Sequence, residues 1–255
     1  MLICAENKLI METIRGIGKF NEINQIGDGL GRRKASEFLN RLIREFAKQS
    51  AKYIIATSEA PFAHRERQLH SIFAPAISKI TPAFLMEQPI ERQWKEKESM
   101  QDMYNYTGWL DYWCRYRDVD FFIELKHNYH SYKNRGIPEK IKKNWEYVNN
   151  DQLKKVEDEA IRYSKNCKGV LLTSLHVITI YEYHKKSNEI ESIDDFVTLL
   201  NIQNELFNNL DPTPSWCGLW VPNNQLIEKS FSKTDSHNEY YPGVILISKV
   251  HEIIL

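Results

Sequence analysis

The first clear pattern in the chain is helical. Between residues 35 and 46, apolar side chains recur every three or four positions, which predicts an amphipathic helix with one buried face. A second helix is predicted from about Pro61 to Ile80, because a proline near the first position is typical of a helix start. Glu66 is expected on the apolar stripe of this helix, where a carboxylate is costly unless it is paired, hydrogen-bonded or bound to a metal. A salt bridge to a neighbouring arginine explains that position equally well.

From residue 84 onward the pattern becomes strand-like. Residues 84–94 predict a strand that Pro89 interrupts, which suits the edge of a sheet. Strands are also predicted at 107–114 and at 119–126, the latter having the strongest β-branched and aromatic content in the chain. The remaining predicted elements are a helix from about Glu139 to Lys165, a strand at 169–175, a helix at 194–207, and strands near 216–221 and 244–250.

This order of elements predicts an α/β fold. We expect a mixed central sheet flanked by helices over residues 60–255, preceded by a helical N-terminal extension over residues 1–59. The glycines at positions 16, 18, 27, 29 and 31 are interpreted as turns, because no Gly-Lys-Ser or Gly-Lys-Thr completes a phosphate-binding loop there.

Composition narrows the class of protein. The 255 residues include 34 Lys plus Arg and 34 Asp plus Glu, and 42% are hydrophobic, which is ordinary for a globular protein. No apolar run approaches the ~18 residues of a membrane span, so no membrane partner is expected. Glu6 precedes any possible signal-peptide core, and the four cysteines (Cys4, Cys114, Cys167 and Cys217) lie far apart. These features favour a cytoplasmic location.

Charge is balanced overall but separated along the chain. Residues 133–168 carry ten basic and six acidic side chains, and residues 32–48 carry six basic and two acidic ones. Such separation permits a basic face for a polyanion partner, although solvated helix faces are the simpler explanation. A homodimer is compatible with the sequence, which leaves the oligomeric state open.

The residues that suggest chemistry lie on the strands predicted at 107–114 and 119–126. Alternation of side chains places Glu124 and Lys126 on one face, and the thirteen-residue step from Asp111 allows the chain to return with Asp111 beside Glu124. Two adjacent carboxylates repel each other unless a cation lies between them, and oxygen ligands favour Mg²⁺ or Mn²⁺. Lys126 could then orient or help deprotonate an attacking water. The alternative is a cross-strand ion pair between Asp111 and Lys126.

At these residues the sequence resembles the PD-(D/E)XK nuclease superfamily, also called restriction-endonuclease-like, over roughly residues 60–180. The family pattern is an acidic residue on a helix, a strand, an Asp on the next strand, Glu-x-Lys on a third strand and a following helix. The matching residues are Glu66, the strand Phe84–Trp94, Asp111 within Gly108-Trp109-Leu110-Asp111, and Glu124-Leu125-Lys126. The proline that precedes the Asp in the family name is absent here.

The resemblance implies a restriction-endonuclease-like core and an Mg²⁺-dependent hydrolase of phosphodiester bonds, with Mn²⁺ as a substitute. It implies that Asp111, Glu124 and the Leu125 carbonyl oxygen bind the metal, that Glu66 lies near it and that Lys126 is the catalytic lysine. It also implies a nucleic-acid partner, with DNA favoured over RNA. The alternative is a catalytically inert nucleic-acid-binding or protein-interaction module on the same fold.

Three other features carry weaker signals. His127 and His130 follow the Glu124 strand, but no third histidine or cysteine completes a metal site at suitable spacing. The aromatic residues around the motif could stack nucleic-acid bases, whereas sheet packing is the simpler role for any one ring. Gln152 falls on the following predicted helix, where some members of the superfamily carry a glutamine near the site.

Overall fold

The computed structural model describes residues 11–29, 31–93, 105–156, 160, 162, 164, 166–185, 196–233 and 237–253. Within these ranges the chain is an α/β protein with a mixed sheet flanked by helices, as the sequence predicts. The strands are β1 (Glu12–Ile14), β2 (Gly18–Asn24), β3 (Phe84–Gln93), β4 (Asn105–Tyr116), β5 (Val119–Ser131), β6 (Gly169–Lys185), β7 (Trp216–Pro222), β8 (Ser232–Lys233) and β9 (His237–Ile253). The α-helices are α1 (Arg32–Thr57), α2 (Glu66–Ser78), α3 (Glu139–Tyr147), α4 (Phe196–Asn209) and α5 (Asn224–Ser230).

The sheet has eight strands side by side in the order β1-β2-β7-β9-β6-β5-β4-β3, and the short β8 pairs with β9. β5 and β6 run parallel, and every other described pair is antiparallel. β3 lies at one edge, as expected for a strand that contains Pro89, because proline cannot donate a backbone hydrogen bond to a second neighbour.

Hydrophobic cores form on both faces of the sheet. On one face, α1 and α2 bury Phe38, Phe46 and Phe73 against strand residues such as Ile123. On the opposite face, α3 and α4 pack over β6, β7 and β9, with Trp145 fully buried. Each such side chain contributes roughly 1.5–3 kcal/mol when it is removed from water, so both helical layers stabilise the sheet on which the site is built.

The N-terminal segment contains strands as well as the predicted helix. β1 and β2 form a hairpin at the end of the sheet, and Gly16 occupies the turn with a φ of 79°, a conformation that glycine adopts easily. Gly18 is needed for a different reason, because a Cβ there would lie 2.0 Å from the Val221 carbonyl oxygen of β7. The interpretation of Gly18 as a turn residue is therefore wrong, because Gly18 is the first residue of β2.

The helix predicted from Glu139 to Lys165 is interrupted. α3 ends at Tyr147 and is followed by a π-helical turn at Val148–Gln152 and a 3₁₀ turn at Leu153–Val156, beyond which only single residues up to 166 are described. The π-helical turn contains Asn149, whose side-chain amide donates to the Trp145 carbonyl oxygen at 2.9 Å. Asparagine competes in this way with helical backbone bonding, which accounts for the irregular turn.

No helix in the described ranges is both long and apolar enough to cross a membrane.

Candidate active site

The candidate site lies where β4 and β5 part. Their pairing runs from Tyr116–Val119 to Tyr112–Ile123, and Glu124 is the next residue of β5. Beyond this point two side-chain carboxylates, instead of the β4 backbone, accept hydrogen bonds from the β5 backbone. The Leu125 N–H donates to Asp111 Oδ2 at 2.7 Å, and the His127 N–H donates to Glu66 Oε2 at 3.1 Å. Asp111 thus contacts the β5 backbone one residue beyond Glu124.

The regular alternation of β4 breaks close to Asp111. Leu110 and Trp113 are three residues apart, yet both pack against the cluster around Phe122. On β3 the residue across from Asp111 is Glu87, because the flanking pairs are Met86–Tyr112 and Gln88–Leu110. Glu87 has a φ of 49°, which is uncommon for a residue with a side chain. The break in the pleat thus coincides with the point at which Asp111 reaches the β5 backbone.

Lys126 forms ion pairs with two of the predicted site acids, Glu66 and Glu124. Its Nζ lies 3.6 Å from Glu124 Oε1 and 3.7 Å from Glu66 Oε1, and it donates a hydrogen bond to the Leu125 carbonyl oxygen at 2.9 Å. The Glu124 side chain is 4% exposed, whereas that of Glu66 is 37% exposed. In the described residues the ion pairs of Lys126 are thus with Glu66 and Glu124, and the simple Asp111–Lys126 pair that the sequence also allowed does not form.

Glu66 lies three positions before the buried Leu69 of α2, on the side of the apolar stripe as predicted, but its side chain is 37% exposed rather than buried. Glu66 is the first residue of α2, where its negative charge is favoured by the helix dipole. The chain before it forms a 3₁₀ turn at Pro61–Ala63, so the predicted helix begins later than expected. Thr179 Oγ1 donates to the Phe62 carbonyl oxygen at 2.7 Å, which ties this turn to β6 and fixes the start of α2.

His70 belongs to the site and was not predicted from the sequence. It lies one helical turn after Glu66 on α2, with its Nδ1 2.5 Å from the Tyr112 hydroxyl and its Nε2 3.8 Å from Asp111 Oδ1. The spacing of four residues from Glu66 was a signal for it, because side chains at this interval lie on the same side of a helix.

His176 is a second histidine beside the site that was not predicted from the sequence, because it lies in an apolar strand. It is directly beside Lys126 in the parallel register of β5 and β6, and its ring packs edge-on against Trp145 at a centroid distance of 4.9 Å. The side chain is fully buried, and neither ring nitrogen has a hydrogen-bond partner within the described part of the chain. Burial, together with the charge of Lys126, lowers the pKa of His176 to about 3.

The histidines that follow β5's Glu-x-Lys segment have other partners. His127 Nε2 lies 2.9 Å from Thr179 Oγ1, and burial lowers the pKa of His127 to about 4. The ring nitrogens of His130 contact the carbonyl oxygens of Ser131 and Gly136 at 2.8 and 3.2 Å. Neither imidazole is therefore directed at the Asp111 carboxylate.

The aromatic residues around the motif divide between core and surface. Tyr112 and Tyr116 are buried in the core, as sheet packing predicts, whereas Trp109 and Tyr129 are 61% and 38% exposed. Gln152 lies in the π-helical turn with its Oε1 buried, and among the described residues this oxygen has no hydrogen-bond partner.

The donors available to a metal are few. No cluster of three or more His, Cys, Asp or Glu side chains suited to a metal ion occurs in the described residues. The predicted ligands are the carboxylates of Asp111 and Glu124 and the Leu125 carbonyl oxygen. Such a small oxygen-only set fits Mg²⁺, which commonly binds one or two carboxylates and completes its shell with water and phosphate. It does not fit a structural zinc site.

Comparison with known proteins adds no assignment. The chain matches no protein-family model, no curated protein and no solved structure. Any functional conclusion therefore depends on the residues and geometry of the site itself.

Proposed function

We propose that the protein is a metal-dependent nuclease with a restriction-endonuclease-like core, and that it hydrolyses phosphodiester bonds in nucleic acid, with DNA as the expected substrate. The observation that carries the proposal is the position of Lys126. Its ammonium group lies within 4 Å of both Glu66 and Glu124, at the edge of β5 where Asp111 binds the backbone.

The arrangement of elements supports this proposal. α2 is followed by the consecutive antiparallel strands β3, β4 and β5, then by α3 and by β6, which lies parallel to β5. The acids occupy the helix and the second and third of these strands, which is the order in which the resemblance requires them.

The residues of the site suit the chemistry of phosphodiester hydrolysis. Asp111 and Glu124 would hold Mg²⁺ with the Leu125 carbonyl oxygen, and the bound ion would neutralise charge on the phosphate and lower the pKa of a water. Lys126 is 20% exposed and can donate hydrogen bonds to a phosphate oxygen or orient the water. Glu66 and Glu124 keep the Lys126 side chain at this position through their opposite charges.

α3 supplies a basic surface close to these residues. Its Asn144 donates to Asn128 Oδ1 at 2.8 Å, and Asn128 is two positions beyond Lys126 on the same face of β5. Lys140 and Lys143 are exposed on this helix. Their charges would attract the phosphate backbone of a substrate to the open edge of β5.

The test is a cleavage assay on supercoiled plasmid and single-stranded DNA with Mg²⁺ or Mn²⁺. We expect Lys126→Ala to reduce the rate at least about 100-fold, the usual scale for losing one charge-stabilising donor. Lys168→Ala is the matched control, because this lysine pairs with Asp118 at the surface and should cut like the wild type. Equal rates for the wild type and Lys126→Ala would contradict the assignment.

An inert module on the same fold is the second candidate. It is favoured by the hydrogen bonds from Leu125 N–H and His127 N–H, which give Asp111 and Glu66 a structural role even without a metal. Thermal unfolding with Mn²⁺ separates the two candidates. A metal site should raise the melting temperature as Mn²⁺ is added, and Asp111→Asn should abolish the rise, whereas an inert module should show none.

A further inference from the structure

The buried Tyr112 side chain contacts His70, and His70 in turn faces Asp111. His70 is largely buried, with 15% of its side chain exposed, and it lies between Tyr112 and Asp111. Tyr112 and Asp111 are consecutive residues of β4, and one ring nitrogen of His70 faces each of their side chains. These contacts are separate from the backbone hydrogen bond that Asp111 accepts from Leu125.

The contact with Tyr112 decides which ring nitrogen of His70 carries hydrogen. A phenol keeps its proton at neutral pH, and among the described residues the Tyr112 hydroxyl has its hydrogen bond with His70 Nδ1, so the hydroxyl donates to this nitrogen. His70 Nδ1, at 2.5 Å from this hydroxyl, must therefore be the acceptor. The neutral ring then carries its hydrogen on Nε2.

That hydrogen is available to Asp111. Nε2 lies 3.8 Å from Asp111 Oδ1, which is longer than a hydrogen bond but close enough for an oriented electrostatic attraction. Oδ2 of the same carboxylate is held at 2.7 Å by the Leu125 N–H. Oδ2 of Asp111 is thus hydrogen-bonded to the β5 backbone, and Oδ1 faces the His70 ring of α2.

We propose that His70 is a positioning residue that, together with Tyr112, fixes the Asp111 carboxylate in the orientation used for metal binding. The metal-binding part rests on the proposed function. Outer partners of this kind orient ligating groups in metal sites, and their loss typically lowers metal affinity about 10- to 100-fold.

Calorimetric titration with Mn²⁺ tests this role. His70→Ala should bind Mn²⁺ about 10- to 100-fold more weakly than the wild type. His70→Gln should restore most of the affinity, because its amide can replace the Nε2 donor. His64→Ala is the control, since His64 is a partly exposed histidine paired with Glu59, and its removal should leave the affinity unchanged. Affinity in His70→Ala equal to that of the wild type would overturn the proposal, as would equal losses in His70→Ala and His70→Gln.

A second measurement keeps the inference testable if the wild type binds no Mn²⁺, which would contradict the proposed function alone. Nitrogen-15 NMR of the imidazole should show hydrogen on Nε2 of His70. The Nε2 signal should shift in Asp111→Asn, and the preference for this tautomer should weaken in Tyr112→Phe. Hydrogen on Nδ1, or a ring signal that does not respond to Asp111→Asn, would show that His70 does not position Asp111.

Discussion

Two buried acids on the same face of β5, Asp120 and Glu124, have different surroundings. Asp120 is fully buried and accepts hydrogen bonds from Arg115 Nε at 2.6 Å, from Arg115 Nη2 at 2.9 Å and from Ser164 Oγ at 3.0 Å. Glu124 is four residues further along, and its contact with Lys126 is longer, at 3.6 Å. The first acid lies where β4 still pairs with β5, and the second lies just beyond the last pair.

The difference shows how one strand can serve both stability and chemistry. A carboxylate that accepts two parallel hydrogen bonds from a guanidinium is held in one geometry and cannot bind another cation without losing them. A carboxylate at a longer distance from a lysine keeps an attraction without that rigid geometry. The point at which strand pairing ends therefore separates a structural acid from a candidate metal ligand.

Removing Asp120 is the largest expected change. Asp120→Ala should lower the free energy of unfolding by about 3 kcal/mol, at the low end for a broken buried pair, because Arg115 is partly exposed and can be hydrated. Urea denaturation of the variant and the wild type measures this difference. A loss below about 1 kcal/mol would show that the pair is not structural.

Glu124→Gln should affect the cleavage rate strongly and the stability little. We expect cleavage to fall about 100-fold or more, because a predicted metal ligand loses its charge, while the free energy of unfolding stays within about 1 kcal/mol of the wild type. Plasmid cleavage and urea denaturation of the same preparation give both values. If this variant is destabilised as strongly as Asp120→Ala, the distinction between the two acids fails.

The basic stretches at residues 32–48 and 133–168 can be compared in the same way, and the expected effect, on DNA binding, is smaller. Of the six bases in residues 32–48, which lie on α1, four form ion pairs, namely Arg32, Lys34, Arg44 and Lys48. On α3, no ion pair involves Lys140 or Lys143 within the described residues. The α3 surface should therefore dominate attraction of a polyanion, although both stretches have the same net charge in the sequence.

Paired substitutions test this expectation. The double variant Lys140→Gln/Lys143→Gln should weaken DNA binding roughly 10-fold at low salt and reduce the salt dependence by up to about two phosphate contacts. Arg33→Gln/Lys52→Gln removes the same charge from exposed positions of α1 and should have little effect. Fluorescence anisotropy with labelled DNA across a salt series measures both, and equal losses would contradict the assignment to α3.

The smallest change at neutral pH is expected for His176→Phe, which keeps a ring against Trp145 and should alter the free energy of unfolding by less than about 1 kcal/mol. The difference in free energy of unfolding between the wild type and His176→Phe should grow as the pH falls. Because the pKa of folded His176 is lowered to about 3, the unfolded chain binds a proton below pH ~6.5 that the folded chain does not. The wild type should therefore lose about 1.4 kcal/mol more per pH unit than His176→Phe between pH 6 and 4. Parallel curves in this range would contradict the burial of a neutral His176.

Local patterns were sufficient for much of the fold. The alternation and β-branched content of residues 119–126 predicted β5, and Pro89 predicted an edge strand. The approach of Asp111 to the Glu124 segment followed from the length of a single hairpin. These features depend on neighbours close in sequence, which is why one sequence is enough to derive them.

Other features depend on contacts between distant segments. The start of α2 was predicted too early because the 3₁₀ turn before it is held by Thr179, more than a hundred residues away. The pairing of the α1 bases with acids such as Asp118 and Glu252 is equally remote. His176 enters the site only because β6 lies parallel to β5, a pairing that needs an intervening crossover.

The order of strands also bears on how the chain folds. β3, β4 and β5 are consecutive in the sequence and adjacent in the sheet, so they can associate by closing short loops. β2 pairs with β7, with Gly18 opposite Pro222, and this contact closes a loop of roughly 200 residues. Local pairings form faster than distant ones. The strands that carry Asp111 and Lys126 are therefore expected to assemble early, and the N-terminal hairpin is expected to complete the sheet late.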